Sequence, residues 1–196
     1  MTRAQFYEHL RDTSIQFVEH QFIAHIQAEC FDECIDNLPF GHLVILTDYS
    51  MNHSHEHQDQ TAGEHWAKWQ TTVLPLVCYL RVRDPVTGRE VVWADAHTFM
   101  SPDLNHSNKM HQYSVEQVIE HYKTLFARAG HPLTHVHIWS DGCASQFKNR
   151  REFYWLTTGR QKYGIWLAHN FFQSCHGKGK STSPHRRCRN WCRHGF

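Results

Sequence analysis

No aspartate or glutamate follows Glu152 in this chain of 196 residues. The last 44 residues therefore offer no carboxylate to a metal or a reaction, yet they hold eight Lys or Arg. No apolar run approaches the roughly 20 residues that a membrane-crossing helix needs, which excludes a helical span. The opening stretch, "MTRAQFYEHLRD", is polar and charged and does not read as a signal peptide. The seven cysteines are odd in number and scattered, so they give no disulfide framework and read as reduced, intracellular thiols. No internal repeat, linker or low-complexity segment is visible before about residue 177. Nor is there a helix-turn-helix or a strong zinc finger of the kind that recognises DNA ends.

Hydrophobic residues make up 40% and aromatic residues 13%, enough for one domain with a real core. A net charge of +1 conceals an asymmetry. Residues 1–152 carry 12 basic against 19 acidic side chains, a balance of −7, and the remainder stands at +8. A basic end suits a polyanion such as nucleic acid, or it is simply a solvated tail. Histidine is abundant, at 19 residues. In "MNHSHEHQD", His53, His55 and His57 recur at period two beside Glu56 and Asp59. An extended segment with that spacing could chelate a transition metal; the bland reading is a polar loop.

Residues 2–36 read as a helix, with Thr2 and Gln5 at capping-box spacing and an apolar stripe of Phe6, Leu10, Phe17, Phe22 and Ile26. "NLPFG" ends it. "HLVILTD", 42–48, is a short continuous apolar run that suits a strand buried on both faces. "TTVLPLVCYLRVR" is a second strand, in which Pro75 predicts a bend or an edge position. "DPVTGRE" is a turn, and "VVWADAHTF" returns as a third strand. Ser114 and Gln117 predict a helix start, followed by Val115, Val118, Ile119, Tyr122, Leu125 and Phe126 at helical period and closed by Gly130 and Pro132. A fourth strand is expected over 135–140, a helix over roughly 145–158 and a fifth strand in "GIWLAHNFF". The expected fold is α/β. Three antiparallel strands come first, and a helix crossover then lays the fourth strand parallel to the first.

That arrangement would set Asp48 and Asp141, at the ends of strands one and four, opposite each other. Two close carboxylates repel unless a cation lies between them. Hard divalent ions with oxygen ligands, Mg²⁺ or Mn²⁺, are the natural partners. Two such ions about 4 Å apart can activate a nucleophile and stabilise the leaving oxygen of a phosphodiester. The alternative is that each aspartate merely caps a turn or helix.

"SDGCASQFKN" followed by "HNFFQSCHGKGKS" resembles a DNA transposase-like family with an RNase H-like catalytic core. Its members carry an "SD-x-x-x-SQ-[FY]-[KR]-N" segment and a later "HGKG-x-x-D" segment. "TDYSMNH" is similar to the family's "MDFAENY", with Asp48 on its aspartate and Asn52 on its asparagine. The likeness runs in order over roughly residues 1–180. It implies a metal-dependent polynucleotidyl transferase, or nuclease, that uses Mg²⁺ or Mn²⁺ at Asp48 and Asp141, takes DNA as partner and sits in the nucleus. Ser145, Gln146 and Asn149 could support the metals or bind a DNA backbone, and Lys148, Arg150 and Arg151 could neutralise phosphates. In "HGKGK", His176, Lys178 and Lys180 offer donors to phosphate.

The resemblance breaks at one place. The family's third acid falls on Thr182. Three readings stand: a truncated or frameshifted member with impaired catalysis, a genuine tail in which His176 completes a weak metal site, or a small zinc site from His185, Cys188, Cys192 and His194. The C-x3-C-x-H spacing fits no strong zinc signature, so zinc is not expected. Cys30 and Cys34, at i and i+4, read as helix residues. The expected organisation is a helical segment over 1–40, an RNase H-like core over 41–176 and a basic Cys/His/Arg-rich tail over 177–196. Two other functions remain open: a non-catalytic nucleic-acid-binding module, and a His-rich metal-binding protein using residues 53–57. A homo-oligomer is compatible with either.

Overall fold

The computed structural model describes residues 1–55 and 69–172. The elements run α1 (Arg3–Asp36), β1 (His42–Thr47), β2 (His53–Ser54), β3 (Gln70–Arg83), β4 (Glu90–Ser101), α2 (Asn108–Arg128), β5 (His135–Asp141), α3 (Arg150–Tyr163) and β6 (Trp166–Phe172). The chain is α/β, as its pattern predicts. One mixed sheet holds β3 antiparallel to both β1 and β4, then β5 parallel to β1 and β6 parallel to β5. The order β4-β3-β1-β5-β6 is that of an RNase H-like sheet, with the short β2 pairing to the start of β3.

Strand alternation sorts the apolar side chains onto two faces. Leu43 and Ile45 of β1, Leu74, Leu76 and Cys78 of β3, and Val136 and Ile138 of β5 all face α2 and α3. Val118, Ile119, Tyr122 and Phe126 of α2 and Trp155 and Tyr163 of α3 pack on them. Val44, Leu46, Val77, Trp139 and Phe172 point to the other face, where Phe31 of α1 covers them. The Phe31 ring meets Trp139 and Phe172 edge-on at 5.2 and 5.4 Å. The apolar run of β1 is thus explained: it is the central strand, covered on both sides.

Several boundaries differ from the expectation. The Thr2 capping box is present, with both hydrogen bonds made. The stripe of α1, however, packs on nothing in the described body: Phe6, Leu10, Phe17, Phe22 and Ile26 are all exposed, and Phe31 alone of the helix is buried. The register of contact lies one to two turns from the C-terminal end, not along the helix. Helix α2 starts at Asn108 under a Ser107 cap, six residues before Ser114, which is buried in its second turn. His111 carries the buried stripe back one turn from Val115, so a polar residue hid the true start. Helix α3 begins at Arg150, because Cys143 C=O accepts from Phe147 and Lys148 N–H and holds the preceding residues in a turn. It ends at Gly164, left-handed at φ 73°. Pro75 sits inside a continuous central strand rather than at an edge or bend. The β1 ladder stops at Leu76, opposite Thr47, so Pro75 lies just beyond it.

Among the described residues no helix is long and apolar enough to cross a membrane. Cys30 and Cys34 are unpaired helix residues, as read from their spacing. The tail from 177, with His185, Cys188, Cys192 and His194, and the loop residues Glu56, His57 and Asp59 lie outside the described residues.

Candidate functional site

The two aspartates are placed by one piece of register. Leu46 of β1 and Trp139 of β5 are the last pair of their ladder, and two residues further on come Asp48, just past β1, and Asp141, the last residue of β5. Alternation puts both on the α1 face, the side of Leu46, Trp139 and Phe172. Phe172 is itself the β6 partner of Asp141. Asp48 is buried at 6% exposure, whereas Asp141 is half-buried. One carboxylate oxygen of Asp141 accepts from Cys143 N–H at 3.1 Å, which fixes its rotamer as the chain leaves the strand. Parallel adjacency at the C-terminal strand ends is the usual site of function in open α/β sheets.

Asn52 and Gln146 are drawn together by a residue that the sequence did not single out. His106 Nε2 lies 2.8 Å from Asn52 Oδ1, and its Nδ1 lies 3.4 Å from Gln146 Nε2. Its ring stacks on Tyr49 at 4.6 Å, and Tyr49 in turn donates to Ser107 C=O at 2.6 Å. Three loops, those after β1, before α2 and after β5, are thereby fastened together. Asn52 Oδ1 also accepts from Thr72 Oγ1 at 3.0 Å, so its side chain is committed to the fold.

Beside this knot opens a cleft of about 730 Å³. Ser107, Asn108 and Lys109 from the start of α2 line it, as do Ser145, Asn149, Arg150 and Arg151 around the start of α3. Two helix N-termini and three cations therefore border one polar space, with Asp103 as the acidic residue in its wall. Asn149 is the cap of α3, accepting from Arg151 and Glu152 N–H at 3.1 Å each. Lys148 turns away from the cleft and lies 5.7 Å above the Phe171 ring. His176, Lys178 and Lys180 lie outside the described residues.

On the opposite face of the sheet lies a cluster that no motif announced. His111 of α2, Glu152 of α3 and His169 of β6 converge, with side chains at 0% exposure. Their ligand atoms all lie within 4.8 Å of one another. Burial pushes the Glu152 carboxyl up, but the imidazoles of His111 and His169 outweigh it and hold it at about 2. Burial lowers the affinity of His169 for a proton, and Glu152 offsets this only in part. Among the described residues this is the one group of three side chains so placed. No third described residue joins Asp48 and Asp141 in such a group, and Glu152, the last acid of the chain, is spent elsewhere.

The histidine-rich stretch is only partly described. His53 and His55 meet edge-to-face at 5.2 Å, and His55 Nε2 lies 2.6 Å from Thr71 Oγ1. At the far end of β1 and β5, His42 stacks on His135 at 4.3 Å and its Nδ1 lies 3.3 Å from His137 Nε2. Burial, with the positive neighbours His135 and His137, pulls His42 down to about 4.

Fold and site together define an RNase H-like α/β chain with aspartates at the ends of β1 and β5 and a basic cleft at the starts of α2 and α3. The chain belongs to the family described as Domain of unknown function (DUF8701), which matches residues 27–184. No curated protein matches the chain, and neither does any solved structure.

Proposed function

We propose that this chain is a transposase-like nucleic-acid enzyme, a metal-dependent polynucleotidyl transferase or nuclease acting on DNA. The observation that carries the reading is that Asp48 and Asp141 each stand two residues past the last pair, Leu46 with Trp139, of adjacent parallel strands. Their donor set, carboxylate oxygens, fits Mg²⁺ or Mn²⁺ and not a soft metal. Bound there, such ions supply nucleophile activation and leaving-group stabilisation. The chain's own residues orient the rest. Cys143 N–H holds Asp141 in place. Lys109, Arg150 and Arg151, with the positive ends of α2 and α3, favour a phosphate backbone in the cleft. The likeness of "SDGCASQFKN" to transposase-like sequences supports the same reading.

Mn²⁺-dependent nicking of a DNA duplex tests it, with Asp141→Ala as the comparison. The expected outcome is nicking by the native chain and none by the variant. Equal nicking by both, or none by either folded protein, would count against the enzyme reading. A non-catalytic nucleic-acid-binding module is the second reading, favoured because no third described ligand joins the aspartates. Such a module would hold DNA in EDTA. Its affinity would fall steeply with salt, and Arg150→Ala would reduce the slope of log K against log[salt] by about 1.

A further inference from the structure

We propose that His111, Glu152 and His169 form a buried transition-metal site of the zinc class, separate from the aspartate pair. The argument begins with hydrogens. Ser140 Oγ donates to Asp141 C=O at 2.9 Å, so towards His169 Nε2, at 2.8 Å, it can only accept. His169 therefore carries its proton on Nε2 and turns Nδ1 to Glu152 Oε1, 3.0 Å away. His111 Nδ1 lies 3.5 Å from the same oxygen, and neither ring nitrogen of this fully buried histidine makes a hydrogen bond. One ligand-type atom from each of the three residues thus lies within 4.8 Å of the others, in side chains closed to water. Such a convergence calls for a cation, either a proton or a metal.

The geometry favours the metal. Donors around a tetrahedral ion with bonds of about 2.0–2.1 Å stand roughly 3.3 Å apart. The two histidine separations from Glu152 Oε1, 3.0 and 3.5 Å, bracket that value, and all three ligand atoms lie within 4.8 Å of one another. Two imidazoles with one carboxylate suit zinc and its neighbours, not Mg²⁺ or Ca²⁺. The surrounding groups also act as supports of a metal site do. Ser140 fixes the tautomer of His169. Asn108 and Gln112 donate to the other oxygen of Glu152 at 2.9 and 3.0 Å, leaving Oε1 to the histidines.

The test uses the full chain, stripped with a chelator and titrated with Zn²⁺ and with Co²⁺ as a visible-absorbing substitute. Expected are one tightly held ion per chain, a Co²⁺ spectrum of tetrahedral type and a raised melting temperature. His169→Gln and Glu152→Gln should lose the ion. Gln112→Ala, which removes only a supporting hydrogen bond, should bind about 10–100-fold more weakly. Asp141→Ala and the double variant His53→Ala, His55→Ala should bind as the native chain does. Native protein, shown folded by circular dichroism, that takes up neither ion would overturn the proposal. So would uptake that the His53/His55 variant abolishes, or that Gln112→Ala leaves unchanged. Failure of DNA nicking has no bearing on these readouts.

Discussion

Glu152 is the residue on which most of the buried polar chemistry turns. One of its oxygens accepts from Asn108 and Gln112, and the other faces His169 Nδ1 at 3.0 Å and His111 Nδ1 at 3.5 Å. Removing one member of a buried charged group strands the others in a dry interior. Glu152→Ala should therefore cost about 3–5 kcal/mol in urea unfolding. Glu152→Gln, which keeps an acceptor oxygen, should cost less. The three residues lie 41 and 17 positions apart along the chain, so no local spacing revealed them. A subtler signal was present. His111 stands one turn before Val115 on the buried stripe of α2, Glu152 three residues before Trp155, and His169 between Leu167 and Phe171 on the inner side of β6. Polar side chains in apolar registers were the visible trace. The strand ends that carry Asp48 and Asp141, by contrast, were legible, because each residue closes an apolar run.

Among elements, those defined by continuous burial were legible, as was the capped start of α1, whereas the starts of α2 and α3 were not. The runs of β1 and β5 named themselves, since central strands are apolar on both faces. The start of α2 was concealed, because Ser114 mimics a cap while Ser107 supplies one. The stripe of α1 was visible but its exposure was not, since an apolar pattern records where a face is and not what covers it. Connections carry a testable constraint as well. Gly41 joins α1 to β1 at φ +78°, and a Cβ there would lie 2.8 Å from the carbonyl oxygen of Pro132. Gly41 C=O also accepts from Thr134 N–H at 2.8 Å, fastening the entrances of β1 and β5. Gly41→Ala should cost more than about 1 kcal/mol, seen as a lower denaturation midpoint with an unchanged slope.

For the whole molecule, three histidines partly or wholly withdrawn from water set the response to acid. His42, His137 and His169 all bind protons less readily when folded. Below the ordinary value of 6.5 the unfolded chain then binds more protons than the native one. Stability is complete above that pH and falls as pH drops, through about 4 for His42. Glu152, held at about 2 against an ordinary 4.5, adds a further loss only below 4.5. Urea midpoints measured from pH 7.5 to 4 should decline, and His42→Gln should flatten the lower part of that decline.

The pairing of β1 with β5 has a consequence in time. Strands β3 and β4 pair over twelve residues across a tight turn, from Thr72 with Ser101 to Arg83 with Glu90. A hairpin of that kind forms within about 1–10 μs. The β1–β5 ladder instead joins residues 93 positions apart, from His42 with His135 to Leu46 with Trp139. Closing so long a loop is entropically slow and waits on helix α2 to span it. The hairpin half of the sheet is thus expected to be native while Asp48 and Asp141 are still strangers. Their meeting completes the sheet, so the candidate site would be among the last features a newly made chain acquires and the first it surrenders on unfolding.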